Sequence, residues 1–85
     1  MSPFFVYIIK CKDGTLYTGI TTDLDRRIAE HNSSKLGAKY TRARRPVKLA
    51  YSQKFLTRSA ACRQEARIKQ FTRVEKLALI KKKRR

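Results

Sequence analysis

The sequence predicts a small domain of the α/β (α+β) class, with three strands and about three helices, and three observations predict it. Two β-branched and aromatic runs, residues 4–9 and 16–21, flank the turn signal Lys12-Asp13-Gly14 and so form a hairpin. A third run, residues 47–55, shows strand-like alternation. Threonines precede helix-like segments at Thr22, Thr57 and Thr72, where a hydroxyl can cap the first turn. With 85 residues the chain falls below the roughly 100–150 usual for one core, so residues 1–80 are expected to form a single domain and 81–85 a basic tail.

Residues 4–9 are apolar on both parities, which marks a central strand covered on both faces. The hairpin loop then decides where its side chains point. A two-residue Asp13-Gly14 loop would turn Tyr7 and Tyr17 to opposite faces. A three-residue loop with Gly14 in the left-handed region pairs Tyr7 with Gly19 and Ile9 with Tyr17, and both phenols then share a face. Thr22 caps a short helix with Asp23 and Asp25 in its first turn, Leu24 and Ile28 facing inward, and Asn32-Ser33-Ser34 as its stop. From Lys35 to Pro46 the chain is polar and basic around Gly37, the pattern of a long loop, and such loops usually carry function. Val47, Leu49 and Tyr51 alternate as a third strand does. Thr57 opens a helix to about Gln70. Thr72 and Glu75 make a capping box for a last helix through Ile80, after which the tail frays.

Lys and Arg number 22 against 6 Asp and Glu, a net charge of +16, which resists compaction and suits a polyanionic partner. Disorder is excluded by the 41% hydrophobic content and by four Phe and four Tyr. Cys11, Cys62 and a single histidine make neither a four-ligand zinc site nor a disulfide framework, so a reducing, cytoplasmic setting is expected. The apolar run near Met1 has no basic residue before it and no cleavage site, and no stretch approaches the roughly 20 apolar residues of a membrane span. The expectation is a soluble protein without a membrane partner.

Six carboxylates can be assigned one by one. Asp13 suits its turn, Asp23 and Asp25 a helix start, Glu30 a surface pair with Arg26 four residues earlier, and Glu75 its capping box. Glu65 is left over. It falls on the stripe of Ala61 and Ile68 that should meet the sheet, where a carboxylate is costly without a cation. Two partners stand open, Lys69 at i+4 or a metal ion. Arg27 and His31 are also four apart and project together: arginine grips phosphate in bidentate fashion, and an imidazole binds phosphate or passes protons. Tyr7 and Tyr17 carry hydroxyls that need partners when buried.

In order, these residues are Phe5-Val6-Tyr7, then Tyr17-Thr18-Gly19 with Tyr17 ten residues after Tyr7, Arg27 ten further on, His31 and Glu65. The spacing resembles the GIY-YIG nuclease family over nearly the whole chain. It is closest to small stand-alone bacterial members, and more distantly similar to the amino-terminal nuclease domain of excinuclease C and to homing endonucleases. The resemblance implies a three-stranded antiparallel sheet flanked by helices, cutting DNA phosphodiesters with one divalent cation, Mg2+ or Mn2+. Carried onto this sequence, it implies Tyr7 as general base or water-orienting phenol, Tyr17 as its companion, Gly19 as the place where the strand passes close to a partner group, Arg27 on the scissile phosphate, His31 assisting, and Glu65 as metal ligand. Phe5 stands in place of the first glycine of the family's name and Thr18 in place of an isoleucine, and the last third of the chain lacks the asparagine that several members have.

Chemistry agrees with this carry-over, since a phenol of pKa near 10 becomes a usable base only among cations or beside a metal. Magnesium keeps much of its water, so one carboxylate with substrate oxygens suffices to hold it. Lys35, Lys39, Arg42, Arg44 and Arg45 around Tyr40, with Lys69 and the block Lys81, Lys82, Lys83, Arg84 and Arg85, read as nucleic-acid contacts, mainly to phosphate. The expected function is a metal-dependent DNA endonuclease, with branched, damaged or single-stranded repair substrates in view. Its rivals are a non-catalytic DNA- or RNA-binding module of the same fold and a ribosome-associated RNA binder. A monomer or weak dimer is expected, and a core this small leaves room for a targeting protein partner.

Overall fold

The computed structural model describes residues 3–33 and 38–83. Strands β1 (Phe4–Lys10) and β2 (Leu16–Thr21) pair antiparallel, and β3 (Lys48–Phe55) pairs antiparallel with the other side of β1, so the order is β2-β1-β3. β1 is central because it is apolar on both parities: Val6, Tyr7, Ile8 and Ile9 are each at most 1% exposed. In the turn, the Cys11 amide bonds Thr15 O at 2.8 Å and the Gly14 amide bonds Cys11 O at 2.9 Å. Lys12, Asp13 and Gly14 are thus a three-residue loop, and Gly14 takes φ +85°, which a side chain would oppose. The register that follows sets Tyr7 opposite Gly19 and Ile9 opposite Tyr17.

The helices are α1 (Leu24–Ser33), α2 (Lys39–Arg42), α3 (Arg58–Lys69) and α4 (Arg73–Lys83). Leu24 and Ile28 of α1 pack against Tyr7, Ile9, Cys11 and Val47, making one core layer. On the opposite face Ala61, Ile68 and Ile80, from α3 and α4, close over Val6, Ile8 and Tyr51. Burying an isoleucine such as Ile68 contributes about 1.5–3 kcal/mol, so two thin layers hold this small domain together. Local chemistry sets the helix starts. The Thr57 hydroxyl accepts from the Ala60 amide at 3.2 Å. In the Thr72 capping box, the Thr72 amide donates to Glu75 Oε1 at 2.8 Å and the Glu75 amide to Thr72 Oγ1 at 3.2 Å.

Five expectations are corrected. The loop expected from Lys35 to Pro46 contains α2, a turn too short to leave a periodic signal, held by Thr41 and Arg42 amides on Ala38 O at 3.0 and 3.3 Å. The α1 cap is Asp23 rather than Thr22: the Arg26 amide bonds Asp23 Oδ1 at 3.1 Å, and Thr21 Oγ1 accepts the Asp23 amide. Glu30 pairs with Arg27 at 3.1 Å rather than with Arg26, since a residue three before it shares its helix face as one four before does. α4 runs through Lys83, three residues past Ile80, because lysines in a last turn complement the helix dipole. The alternation of β3 is broken by a bulge. Ile8 faces Tyr51 and Ile9 faces Leu49, so Ala50 is extra; Val47 and Tyr51 enter opposite core layers, and Leu49 is 44% exposed.

Candidate active site

The face of the sheet under α1 and α2 holds both phenols. Tyr7 is 1% exposed, and its ring lies across Gly19: a Cβ there would press on the Tyr7 hydroxyl and stand 2.6 Å from its Cζ. This is the close approach for which only glycine leaves room. His31, on the inner side of α1, is completely buried and stands edge-on to both tyrosine rings, 5.9 Å from Tyr7 and 5.4 Å from Tyr17 between centroids.

Hydrogen bonds order this cluster. Tyr7 Oη is 2.8 Å from His31 Nε2, and His31 Nδ1 is 2.9 Å from Thr41 Oγ1. The Thr41 hydroxyl gives its one proton to Ala38 O at 2.9 Å, so it accepts from the imidazole. That assigns the proton to Nδ1 and leaves Nε2 to accept from the Tyr7 hydroxyl. Burial first, and then the charges of Arg27 and Arg45 against the opposing charge of Glu30, push the His31 pKa down to about 4. His31 is therefore neutral at pH 7. Burial also raises the Tyr7 phenol above its ordinary value, while a hydrogen bond from Arg27 pulls it back. Of the two roles the sequence leaves to His31, binding phosphate does not suit a ring whose nitrogens are both engaged and which is wholly enclosed. Passing protons is the role left open to it.

Arg27 reaches Tyr7 from α1 and also pairs with Glu30 at 3.1 Å, its side chain about one quarter exposed. Glu65 comes from α3, in the opposite layer, with 19% of its side chain exposed. Its carboxylate lies close enough to disfavour ionisation of Tyr7, as does the neighbouring Tyr17 phenol. Glu65 Oε2 also pairs with Lys69 Nζ at 3.4 Å, the local partner that the sequence left open. Lys69 is 54% exposed, and an exposed i,i+4 pair contributes only a few tenths of a kcal/mol, so the carboxylate is not committed to it.

Among the described residues no three histidine, cysteine or acidic side chains cluster. Glu65 is nonetheless a hard oxygen donor at a partly open rim, which fits a cation that takes most of its ligands from water and a phosphate.

The cations expected to meet nucleic acid are not all alike. Lys39 and Arg42 are exposed on α2 beside the tyrosines. Arg44 is held by Asp13 Oδ2 at 3.1 Å and by Tyr40 O at 2.8 Å. Arg45 closes the end of α1, with Nε on His31 O at 2.6 Å. Lys82 and Lys83 line a cleft of about 390 Å³ with Tyr51, Gln53 and Leu79, on the far layer from the phenols. Lys35, Arg84 and Arg85 lie outside the described residues.

A model of the GIY-YIG catalytic domain matches residues 3–78. The chain belongs to the GIY-YIG family. The GIY-YIG relatives include UPF0213 protein SH2523 of Staphylococcus haemolyticus, 54% identical over 94% of this chain and 96% of its own length. UPF0213 protein SAG0778 of Streptococcus agalactiae is 57% identical over 93% of this chain and 89% of its own. The solution structure of UPF0213 protein BH0048 from Bacillus halodurans shares 46% identity and superposes with a TM-score of 0.63, covering 95% of this chain and 85% of that one. The three-stranded sheet with its flanking helices is thus the GIY-YIG fold of small stand-alone bacterial proteins, a nuclease-type domain. Its two name motifs correspond to Phe5-Val6-Tyr7 on β1 and Tyr17-Thr18-Gly19 on β2.

Sequence reading missed two residues. Thr41 sat inside a presumed loop with no pattern to flag it, yet it is fully buried and orients His31. Asn32, read as a helix stop, lies within α1 and ties it to Val47, the residue before β3, accepting from the Val47 amide at 2.7 Å and donating to Val47 O at 3.0 Å. Thr41→Val, which leaves the buried Nδ1–H without an acceptor, is expected to cost about 1–3 kcal/mol in urea unfolding, while Thr41→Ser retains nearly all the stability.

The buried neutral imidazole also sets an acid limit. Its folded pKa of about 4 lies below the unfolded 6.5, so its contribution is complete above pH 6.5 and is lost as pH falls toward 4. About 3 kcal/mol is expected to disappear across that window in urea titrations, and His31→Gln is expected to lack this part of the slope.

Proposed function

We propose that this protein hydrolyses phosphodiester bonds of DNA as a metal-dependent endonuclease. The observation that carries the reading is the Tyr7 hydroxyl, which donates to a buried neutral His31, bears Arg27 on its oxygen and feels the Glu65 carboxylate. A buried phenol is otherwise a poor base, and this arrangement gives it somewhere to send its proton. In the proposed step, water attacks phosphorus in line with the leaving oxygen. Tyr7 Oη takes the proton from the water as its own proton passes to His31 Nε2; the bond from phosphorus to the leaving oxygen breaks, that oxygen takes a proton from solvent, and the imidazolium returns its proton to solvent afterwards. The Thr41 hydroxyl keeps Nδ1–H in place while the imidazole carries the proton. Arg27 holds a phosphoryl oxygen and stabilises the charge that grows there. Tyr17 packs beside the relay and shapes the pocket. Glu65 would hold a hard divalent cation, which supplies Lewis-acid stabilisation of the phosphoryl oxygens.

Lys39 and Arg42 would add phosphate contacts on the same side, while Lys69 and the α4 lysines add long-range attraction. A cytoplasmic location suits such an activity. The Glu65–Lys69 pair is the one observation favouring a second reading, a non-catalytic nucleic-acid-binding module. Labelled single-stranded, duplex, flap and junction DNA, incubated with and without Mg2+ or Mn2+, separates the two. Metal-dependent cutting of at least one form supports the nuclease; binding without cutting of any form supports the module.

A further inference from the structure

Tyr40 is the one tyrosine that is exposed among the described residues, at 39%. Its ring stacks on Tyr17, with centroids 5.8 Å apart and planes 28° from parallel. The Arg44 guanidinium lies over the Tyr40 ring, 4.1 Å from the centroid. Arg44 is not a loose cation: Nε is on Asp13 Oδ2 at 3.1 Å and Nη1 on Tyr40 O at 2.8 Å, so its planar head is held against the ring. Its side chain is still 36% exposed. Tyr17, Tyr40 and Arg44 thus form a column of flat groups, from a ring that touches His31 out to solvent. Exposed Lys39 and Arg42 flank it on α2.

Such a column is poorly suited to the phosphate contact that the sequence suggests for Tyr40 and Arg44, because a phosphate clamp needs free guanidinium edges and two of these are occupied. It is well suited to a flat, uncharged π system. Nucleobases stack on aromatic rings and on guanidinium planes, at about 1–3 kcal/mol per base, while the flanking cations take the backbone. A base inside a duplex has both faces covered by its neighbours and cannot join the column.

We propose that the solvent end of the Tyr17–Tyr40–Arg44 column, the outer face of the Arg44 guanidinium backed by the Tyr40 ring, is a stacking platform for an unpaired nucleobase beside the scissile phosphate, so that the protein selects strands with at least one unpaired nucleotide. Only its place beside a scissile phosphate rests on the nuclease reading; the platform itself is tested by binding.

A mixed-sequence single-stranded deoxyoligonucleotide and a blunt duplex of the same sequence are titrated in EDTA, with anisotropy giving both dissociation constants. Wild type is expected to prefer the single strand. Tyr40→Leu is expected to lower that preference about tenfold, and Tyr40→Phe, which keeps the ring, to retain it. Equal loss on both forms, or a Phe variant no better than Leu, overturns the platform. A second measurement needs no variant. A single strand bearing 2-aminopurine is expected to lose fluorescence when saturated with wild type, whereas unchanged intensity overturns the proposal. A protein that cuts nothing yet passes these tests keeps the platform and loses the nuclease; one that cuts but fails them loses the platform alone.

Discussion

Replacing Glu65 with glutamine is expected to reduce DNA cleavage by about a thousandfold, with binding and fold intact. Glutamine keeps the size of the side chain and removes only its charge. The structural loss is confined to the Lys69 pair, 3.4 Å long with its lysine end 54% exposed, worth a few tenths of a kcal/mol. Thermal unfolding should therefore move very little, and the salt dependence of binding should keep its slope, since a carboxylate contacts no phosphate. Only a carboxylate that works at the reacting centre predicts a large kinetic effect with so small a structural one. Cleavage within a few-fold of wild type for Glu65→Gln would make Glu65 a structural partner of Lys69 and remove the proposed metal ligand.

Gly19→Ala is expected to cost about a hundredfold in cleavage and about 1–3 kcal/mol in stability. The new methyl meets the Tyr7 hydroxyl and Cζ, so either the ring or β2 must move. The ring has little freedom, because it is packed at 1% exposure and bonded to His31. Moving it breaks the 2.8 Å contact with Nε2 and displaces the oxygen proposed to take the proton from water. Urea unfolding and cleavage of the preferred DNA form check the two effects together. Wild-type cleavage by a folded Gly19→Ala protein would show that the position of Tyr7 over β2 is irrelevant to cutting.

The candidate site was legible to unequal degrees. For Tyr7, Tyr17 and Gly19 the hairpin left two registers open, and the three-residue loop ending in Gly14 is the one that sets them on one face, since side chains alternate strictly along a strand. Arg27 and His31 came together from helical spacing, but spacing says nothing about depth. The burial that makes His31 neutral and a proton acceptor rather than a phosphate ligand needed β1 beneath it and α2 beside it. Glu65 could be singled out by subtraction, as the acid without a turn or cap to serve. Its nearness to Tyr7 depends on how α3 packs on the sheet, which no local pattern encodes.

Other misses have the same origin. The bulge at Ala50 leaves no trace in a strand that alternates, yet it sends Val47 and Tyr51 into different layers. The four-residue helix of Lys39–Arg42 exists because Thr41 finds His31 and Tyr40 finds Tyr17, partners 10 and 23 positions away.

By itself, the sequence determined what short-range chemistry controls: the strands, the Thr57 and Thr72 caps, the positive charge, and the family through its ordered tyrosines. Tertiary structure alone decided which groups are dry, which proton sits on His31, and which of the arginines are tied down. These depend on groups distant along the chain meeting at a few ångströms, where burial and hydrogen bonding set charge and proton position.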